Sequence, residues 1–198
     1  MLIDLVRHGE TVMTGRLIGR TDPPLTDAGR TQFERQTCGL SVDAVVASPR
    51  QRARLPAEEL AVARGLPLRV DEDWAEIDFG DWEGRMLAEL RADFSTAAAL
   101  TAFYSSPFAP AAPGGEGWRS LEARVGCAID RLLDDGADSR VLVSTHGGPM
   151  RAALAVSCAI PFASLWAFRI DYGTRITLRV GRDGEHCVWG EIIEVVQA

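Results

Sequence analysis

The first residues suited to chemistry lie near the start of the chain, in the run Arg7-His8-Gly9. They follow a short apolar run, Met1 to Val6, which has the pattern of a buried strand. A cation and an imidazole, placed where a strand ends and a glycine lets the backbone turn, form a natural site for an anion. In open α/β sheets, ligands bind beyond the carboxyl ends of the strands. His8 is therefore the first candidate for a catalytic residue.

A second histidine has the same local context as His8. The apolar run Arg140 to Ser144 predicts another buried strand, and His146-Gly147-Gly148 follows it. A structural role would be the better interpretation of either histidine alone, but two histidines at two strand ends favour a shared site. The third histidine of the chain, His186, ends the run Asp183-Gly184-Glu185-His186, a predicted exposed turn between late strands.

Arginines follow a third predicted strand, in the run Ser48-Pro49-Arg50-Gln51-Arg52-Ala53-Arg54. Side chains on one face of a helix are three or four residues apart, so these alternate arginines cannot all face one pocket. The spacing alone does not decide between Arg50 and Arg52.

Carboxylates and aromatic residues alternate in the segment Trp74 to Gly84, which contains Glu76, Asp78, Asp81 and Glu83. One interpretation is a surface loop whose tryptophans pack on the core. The other is that one carboxyl group lies beside apolar rings in the site and acts as a general acid and base. The residues alone leave both open.

Strands that alternate with helices must position these side chains. The pattern predicts a three-layer α/β/α sandwich with a mostly parallel central sheet, formed by a single domain over residues 1–198. Ser48 is expected to cap a helix with Pro49 at its first position, and a loop is expected over Ser106 to Gly117. The remaining predicted elements are helices from Thr26 to Cys38, Leu87 to Leu100, Trp118 to Asp134 and His146 to Cys158, and strands over Val42 to Ala47, Leu66 to Val70, Ser164 to Ile170, Arg175 to Val180 and Val188 to Val196.

Composition excludes several classes of function. The net charge of −7 argues against broad nucleic-acid binding, and no apolar run approaches the roughly 20 residues of a membrane span. The first residues lack a basic leader, so a cytoplasmic location is expected. All 21 basic residues are arginine, which rules out lysine chemistry. The four scattered cysteines predict free thiols, and no metal-binding pattern is present.

Five motifs, taken together and in order, resemble the histidine phosphatase (phosphoglycerate-mutase-like) superfamily over nearly the whole chain. The resemblance implies the phosphoglycerate-mutase-like fold and a metal-independent, cofactor-free phosphatase reaction. It implies that His8 is phosphorylated during turnover, that Arg7, Arg52 and His146 surround the phosphoryl group, and that Glu76 is the proton donor. It thus selects Arg52 over Arg50. The motifs are Arg7-His8-Gly9-Glu10-Thr11, Ser48-Pro49-Arg50-Gln51-Arg52-Ala53, Glu76 with Phe79-Gly80-Asp81-Trp82-Glu83-Gly84, Pro113-Gly114-Gly115-Glu116 and His146-Gly147-Gly148.

Some positions depart from the family pattern around the expected phosphate pocket. Many members have asparagine at the position of Thr14 and a polar residue at the position of Ile18. Thr14 could keep one hydrogen bond to the phosphate, whereas the side chain of Ile18 could not. The resemblance also implies a substrate contact at Gly147. None of these departures affects Arg7, His8 or the other residues expected to carry the reaction.

The expected substrate is a small phosphorylated metabolite. The chain lacks the insertions of the mutases, and two segments, Gly115 to Trp118 and Pro161 to Gly173, resemble α-ribazole phosphatases of cobalamin biosynthesis. The alternatives are a histidine phosphatase of broad or different specificity, a mutase-like enzyme, or a non-catalytic regulatory protein on the same fold. The sequence leaves open the leaving alcohol, a homodimer formed through the late strands, and closure of the loop 106–117 over a substrate.

Overall fold

A single sheet positions the candidate residues in the computed structural model, which describes residues 1–136 and 139–198. The strands are β1 (Leu2–Arg7), β2 (Ala44–Ala47), β3 (Leu68–Val70), β4 (Arg140–Thr145), β5 (Arg175–Arg182) and β6 (Val188–Val196). Their order across the sheet is β3-β2-β4-β1-β5-β6. β3, β2, β4 and β1 are parallel, and β5 and β6 add an antiparallel edge. The carboxyl ends of β2, β4 and β1 therefore lie side by side.

Helices cover both faces of this sheet: α1 (Asp27–Thr37), α2 (Gln51–Arg64), α3 (Leu87–Ala92), α4 (Ala97–Ser105), α5 (Trp118–Asp135) and α6 (Gly147–Cys158). Phe33 of α1 and Ala57 of α2 pack on Val45 and Leu142 of the sheet. On the opposite face a larger cluster joins the sheet to α5 and α6 and includes Ile3, Leu5, Val143, Leu121, Ile129 and Leu154. The predicted three-layer α/β/α class, with a mostly parallel sheet, is confirmed.

Local sequence explains where several helices begin and end. Thr26 caps α1, because its hydroxyl accepts a hydrogen bond from the Gly29 N–H at 3.0 Å. Gly65 ends α2 in the left-handed conformation, at φ +63°. The apolar residues of α5 recur at helical spacing, so that Leu121, Val125 and Ile129 are fully buried.

Three predicted elements were wrong. Ser48 does not cap α2, which begins at Gln51 after Arg50, because its hydroxyl is bonded to His146 instead. The helix expected over 87–100 is two helices, separated where the Asp93 carboxylate accepts hydrogen bonds from the N–H and hydroxyl of Ser95. The strand expected over 164–170 is mostly a 3₁₀ helix, Phe162–Ala167, that follows Pro161.

Two further features concern the chain as a whole. Within the described ranges, none of the helices combines the length and the apolar character that a bilayer crossing requires. Each of the four cysteines, at positions 38, 127, 158 and 187, is a free thiol.

Candidate active site

The ends of three neighbouring parallel strands bring together residues that are far apart in the sequence. His8 follows β1, His146 follows β4, and Arg52 lies in the first turn of α2 after β2. The centroids of the two imidazole rings are 5.1 Å apart. Arg52 Nε is 3.3 Å from His8 Nε2. The structure therefore places Arg52 against His8, while Arg50 lines a neighbouring polar cavity whose wall includes Glu76.

His8 is held with one ring nitrogen free to react. The side chain is buried, and Nδ1 lies 2.7 Å from the Gly9 carbonyl oxygen, which can only accept. Nδ1 therefore carries the proton, as assigned from this hydrogen bond, and Nε2 has the lone pair that meets Arg52 Nε. Burial first, and then the charges of Arg52 and Arg7, hold the pKa of His8 well below its usual value. His8 is thus neutral at neutral pH.

Arg52 is buried, and a loop fixes the orientation of its guanidinium group. Nη1 donates to the Thr21 carbonyl oxygen at 2.8 Å and to Asp22 Oδ1 at 3.2 Å. Nη2 donates to the carbonyl oxygens of Ile18 and Gly19 at 2.9 and 3.1 Å. These contacts leave Nε aimed at His8.

His146 is fully buried, and its Nε2 lies 2.6 Å from the Ser48 hydroxyl. Burial, followed by the charges of Arg52, His8 and Arg7, lowers the pKa of His146 well below its usual value. The Ser48 oxygen already accepts a hydrogen bond from the Arg50 N–H at 3.3 Å. We therefore assign its hydroxyl as the donor to His146 Nε2, which puts the ring proton on Nδ1. Nδ1 is itself buried and has no hydrogen-bond partner among the described residues.

Arg7 contributes a second buried donor beside His8. Its Nη1 donates to the Ile170 carbonyl oxygen at 2.7 Å, and its guanidinium carbon lies 4.3 Å from the centre of the Tyr172 ring. Within residues 1–136 and 139–198, Arg7 Nε has no hydrogen-bond acceptor although it is buried. Buried polar groups are nearly always paired, so unpaired donors indicate the place of a ligand.

Glu76 is anchored at the beginning of α6. Its Oε1 accepts hydrogen bonds from the backbone N–H groups of Ile77 at 3.0 Å and Gly148 at 3.1 Å. A Cβ atom at position 148 would lie 2.2 Å from Glu76 Oε1, so only glycine permits this approach. The carboxylate lines the same cavity as Arg7 and His8.

This cavity has a volume of about 620 Å³ and extends from His8 to an aromatic wall. Trp166 lies at the wall with 39% of its surface exposed, and the Arg151 guanidinium carbon lies 4.8 Å from its ring centre. Trp166 is therefore neither a strand residue nor a core residue. The aromatic residues of the lining are Phe79, Phe103, Tyr104, Trp118, Trp166 and Tyr172.

The two remaining predicted binding residues differ in position. Gly147 lines the cavity, and a Cβ there would lie 3.8 Å from Arg7 Nε. Thr14 is exposed and lies outside the lining, so its contact with a phosphate stays a prediction. Ile18 does line the cavity, and its backbone oxygen binds Arg52.

Sequence reasoning missed Ser48, Tyr172 and Arg151 as parts of the site. Only Ser48 stood in one of the five motifs, and there it had the pattern of a helix cap.

No metal site is evident in the described part of the chain, where no cluster of three or more His, Cys, Asp or Glu side chains could hold an ion.

Comparison with known proteins decides the family. The sequence profile of the histidine phosphatase superfamily (branch 1) matches residues 3–192. The chain belongs to this superfamily. Adenosylcobalamin/alpha-ribazole phosphatase of Escherichia coli (strain K12) is 31% identical over 179 residues, which are 87% of each chain.

Histidine phosphatases of other specificity are similar too. Phosphoserine phosphatase 1 of Hydrogenobacter thermophilus is 28% identical over 172 residues, 84% of this chain and 81% of that protein. The solved structure of a mycobacterial glucosyl-3-phosphoglycerate phosphatase superposes with a TM-score of 0.84 at 25% identity and covers 96% of both chains. This histidine phosphatase is accordingly an enzyme, a phosphatase of the hydrolase class.

Proposed function

We propose that the enzyme hydrolyses phosphate monoesters through a phosphohistidine formed on His8. The observation that carries this proposal is the pair of buried, unpaired donors, Arg7 Nε and His146 Nδ1, beside a neutral His8. A tetrahedral phosphoryl group has oxygens to pair with both donors while its phosphorus faces His8 Nε2. Arg52 adds a fixed charge at the same point.

In the first proposed step, His8 Nε2 attacks phosphorus and forms a P–N bond while the ester P–O bond breaks. The electron pair of that bond stays on the leaving oxygen, which takes a proton from Glu76. Arg7, Arg52 and His146 hold the equatorial oxygens, on which negative charge is spread in the transition state.

In the second step, water attacks the phosphohistidine after the alcohol has left. The Glu76 carboxylate accepts a proton from this water, and the electron pair of the broken P–N bond returns to His8 Nε2. Inorganic phosphate and the starting enzyme result. Gly147, in the first turn of α6 beside Arg7, is proposed to help bind the phosphate, because a helix N-terminus favours an anion. These steps use no metal and no cofactor.

The proposed substrate is α-ribazole 5′-phosphate, the leaving group being α-ribazole of cobalamin biosynthesis. The similarity to adenosylcobalamin/alpha-ribazole phosphatases supports this substrate, and so does the shape of the cavity. A volume of about 620 Å³ with aromatic walls suits a bulky leaving group that carries an aromatic ring. A small leaving group such as serine would leave most of this apolar wall uncovered.

Trapping of the intermediate tests the chemistry. The enzyme is mixed with a ³²P-labelled aryl phosphate and quenched, and the acid and base lability of the protein-bound label is then measured. We expect an acid-labile, base-stable label on the wild type, none on His8→Ala, and normal labelling of the matched control His186→Ala, whose histidine is exposed. Turnover by His8→Ala at the wild-type rate would refute the role of His8.

A substrate panel tests the leaving group. It compares α-ribazole 5′-phosphate, phosphoserine, 3-phosphoglycerate, glucosyl-3-phosphoglycerate and an aryl phosphate by kcat/KM. We expect Trp166→Ala to lower kcat/KM for α-ribazole 5′-phosphate about tenfold, within the ~1–3 kcal/mol of one aromatic stacking contact. The control is Trp189→Ala on β6, which is 40% exposed and outside the cavity. A preference for any of the other three natural esters would replace the proposed substrate.

A further inference from the structure

Glu83 is a half-buried carboxylate that none of the proposed steps uses and that does not line the cavity. It accepts hydrogen bonds from four backbone N–H groups: those of Gly19 at 3.0 Å, Arg20 at 2.8 Å, Thr21 at 3.2 Å and Phe79 at 3.1 Å. No arginine of the described chain forms an ion pair with it. Burial raises its pKa, but these hydrogen bonds outweigh that effect and lower it. The negative charge of Glu83 is therefore stabilised by backbone N–H groups and not by a cationic side chain.

The other side of the same loop binds Arg52. The carbonyl oxygens of Ile18 and Gly19 accept hydrogen bonds from Nη2, and that of Thr21 accepts one from Nη1. Two peptide units, 18–19 and 19–20, thus donate their N–H to Glu83 and offer their C=O to Arg52. Each of these dipoles lies between an anion and a cation, in the orientation that stabilises both.

The loop has little freedom to move away from this arrangement. A Cβ atom at Gly19 would lie 2.0 Å from the Ile77 carbonyl oxygen and 2.4 Å from Glu83 Oε1. Both distances are far below van der Waals contact, so the backbone at Gly19 is clamped between the two residues. The position of Arg52 is consequently set by the backbone of residues 18–21, which Glu83 holds in place through hydrogen bonds.

We propose that Glu83 is a positioning residue for Arg52, acting through the peptide units of residues 18–21. Four hydrogen bonds fix both terminal nitrogens of Arg52, which leaves Nε as the donor directed at His8. Without the anion, the loop relaxes and this donor is no longer aligned with the phosphoryl group. The inference rests on the proposed function, in which Arg52 stabilises that group in transfer.

The test uses Glu83→Gln in the full-length enzyme with an aryl phosphate as substrate. Arg52 acts most strongly where charge accumulates in the transition state, so we expect kcat to fall about 10- to 100-fold while KM changes by less than about threefold. The inhibition constant of vanadate, which binds with the geometry of phosphoryl transfer, should rise by a factor similar to the loss in kcat. A loss of folded protein would also lower the apparent kcat at constant KM, but it would leave the inhibition constant of vanadate unchanged.

The pH profile gives a second readout. Arg52, Arg7, His146 and Tyr172 face the His8 ring, and the charge of Arg52 favours neutral His8. When Arg52 moves away, protonation of His8 becomes easier. The acid limb of kcat/KM for Glu83→Gln should therefore shift to higher pH.

The matched control is Glu116→Gln. Glu116 is a carboxylate with only 18% of its side chain exposed, and it pairs with Arg124 rather than with the loop. We expect it to lose stability, measured as Tm, without a change in vanadate affinity or in the acid limb. If Glu83→Gln does not fold, Glu83→Asp replaces it, because it keeps the charge but withdraws the carboxylate by one methylene.

A double-mutant cycle with Arg52→Lys separates this inference from the proposed function. If Glu83 acts through Arg52, Glu83→Gln has little further effect on kcat or vanadate affinity in the Arg52→Lys background. Full additivity, or a Glu83→Gln enzyme with normal kcat, overturns the inference alone. If Arg52→Lys itself keeps normal kcat and vanadate affinity, the proposed role of Arg52 fails first.

Discussion

At the scale of single residues, the Ser48 hydroxyl decides how His146 can act. With Nε2 of His146 accepting the hydroxyl proton at 2.6 Å, the ring proton lies on Nδ1, and Nδ1 is the buried nitrogen without a partner. One hydrogen bond at Nε2 thus makes Nδ1 a donor, which the proposed function pairs with a phosphoryl oxygen. Ser48 follows β2 and His146 follows β4, so this pairing depends on the order of strands in the sheet.

We predict that Ser48→Ala weakens phosphoryl binding. The variant leaves His146 Nε2 buried without a partner and removes the preference for a proton on Nδ1. We expect kcat to fall about tenfold and the free energy of unfolding to fall by about 1–3 kcal/mol. The measurements are steady-state kinetics, inhibition by vanadate, and urea denaturation.

The control for Ser48→Ala is Ser144→Ala on β4. The Ser144 hydroxyl is also fully buried and donates to the Ala53 carbonyl oxygen at 2.7 Å. Its loss should reduce stability with little change in vanadate affinity. Equal vanadate affinity in Ser48→Ala and the wild type would contradict the role given to Ser48.

The sequence was most informative about residues whose role follows from a strand end. His8 and His146 could be paired from their common context, because neighbouring parallel strands end at one edge. Spacing could not distinguish Arg52 from Arg50, since that choice depends on the loop 18–22, whose carbonyl oxygens accept hydrogen bonds from Arg52. The tautomer of His146 depends on Ser48, which is distant in sequence, so no local pattern reveals it. That of His8 depends on the carbonyl oxygen of the adjacent Gly9, whose direction is set by the turn after β1.

At the scale of elements, the beginning of α6 holds Glu76 in the wall of the cavity that His8 also lines. The Gly148 N–H donates to the carboxylate, and the positive end of the helix dipole lies close to it. The approach requires glycine at position 148, because a Cβ there would overlap Glu76 Oε1. The helix and the loop that carries Glu76 are therefore matched to each other in shape.

We predict that Gly148→Ala displaces Glu76 while the helix still forms, because alanine is a better helix former than glycine. An alkoxide needs a proton more than a phenoxide does, so the loss in kcat should be about tenfold larger for an alkyl than for an aryl phosphate. Glu76→Gln should show the same selectivity. The measurement is kcat for the two esters with each variant.

Gly126→Ala on α5 is the control for this prediction. Its added Cβ would meet Val156 Cγ1 at 3.7 Å, an ordinary contact, so we expect normal kinetics with both esters. Equal losses for alkyl and aryl esters in Gly148→Ala would argue against Glu76 as the proton donor.

Helices were predicted correctly where a single local sequence pattern determined their ends or their buried face. The helix predicted from Thr26 to Cys38 is α1 with its two cap residues, and the apolar spacing of α5 identified its buried face. The strand predicted over 164–170 was wrong because apolar residues alternate there by chance, and the chain after Pro161 turns as a 3₁₀ helix that buries only Leu165. The break after α3 depends on the Asp93 side chain, which competes with the helix for backbone donors.

At the scale of the whole molecule, the site exists because the strand order places the ends of β2, β4 and β1 together. Alternation of strands and helices predicts the class of fold, but not this order. The single domain over 1–198, the cytoplasmic location and a homodimer remain predictions. β6 lies at an edge of the sheet with Ile193 and Val195 partly exposed, and nothing in its pattern requires a partner.

The two buried histidines link the site to the stability of the entire fold. Folding lowers the pKa of His8 and of His146, first of all through burial. In the unfolded chain both rings take up a proton as the pH falls through about 6.5, whereas in the folded enzyme they stay neutral to lower pH. The unfolded state therefore binds more protons in this range, and stability must decrease as the pH falls.

We predict that the free energy of unfolding falls by about 1 kcal/mol per buried histidine between pH 7 and pH 5.5, before most carboxylates titrate. Urea denaturation at a series of pH values measures this slope. His8→Asn should make the slope shallower by about half, because one of the two linked protons is removed. His186→Asn, at an exposed turn with φ +62° that asparagine tolerates, should leave it unchanged. A wild-type stability that stays constant or rises between pH 7 and pH 5.5 would show that the rings are not held neutral by the fold.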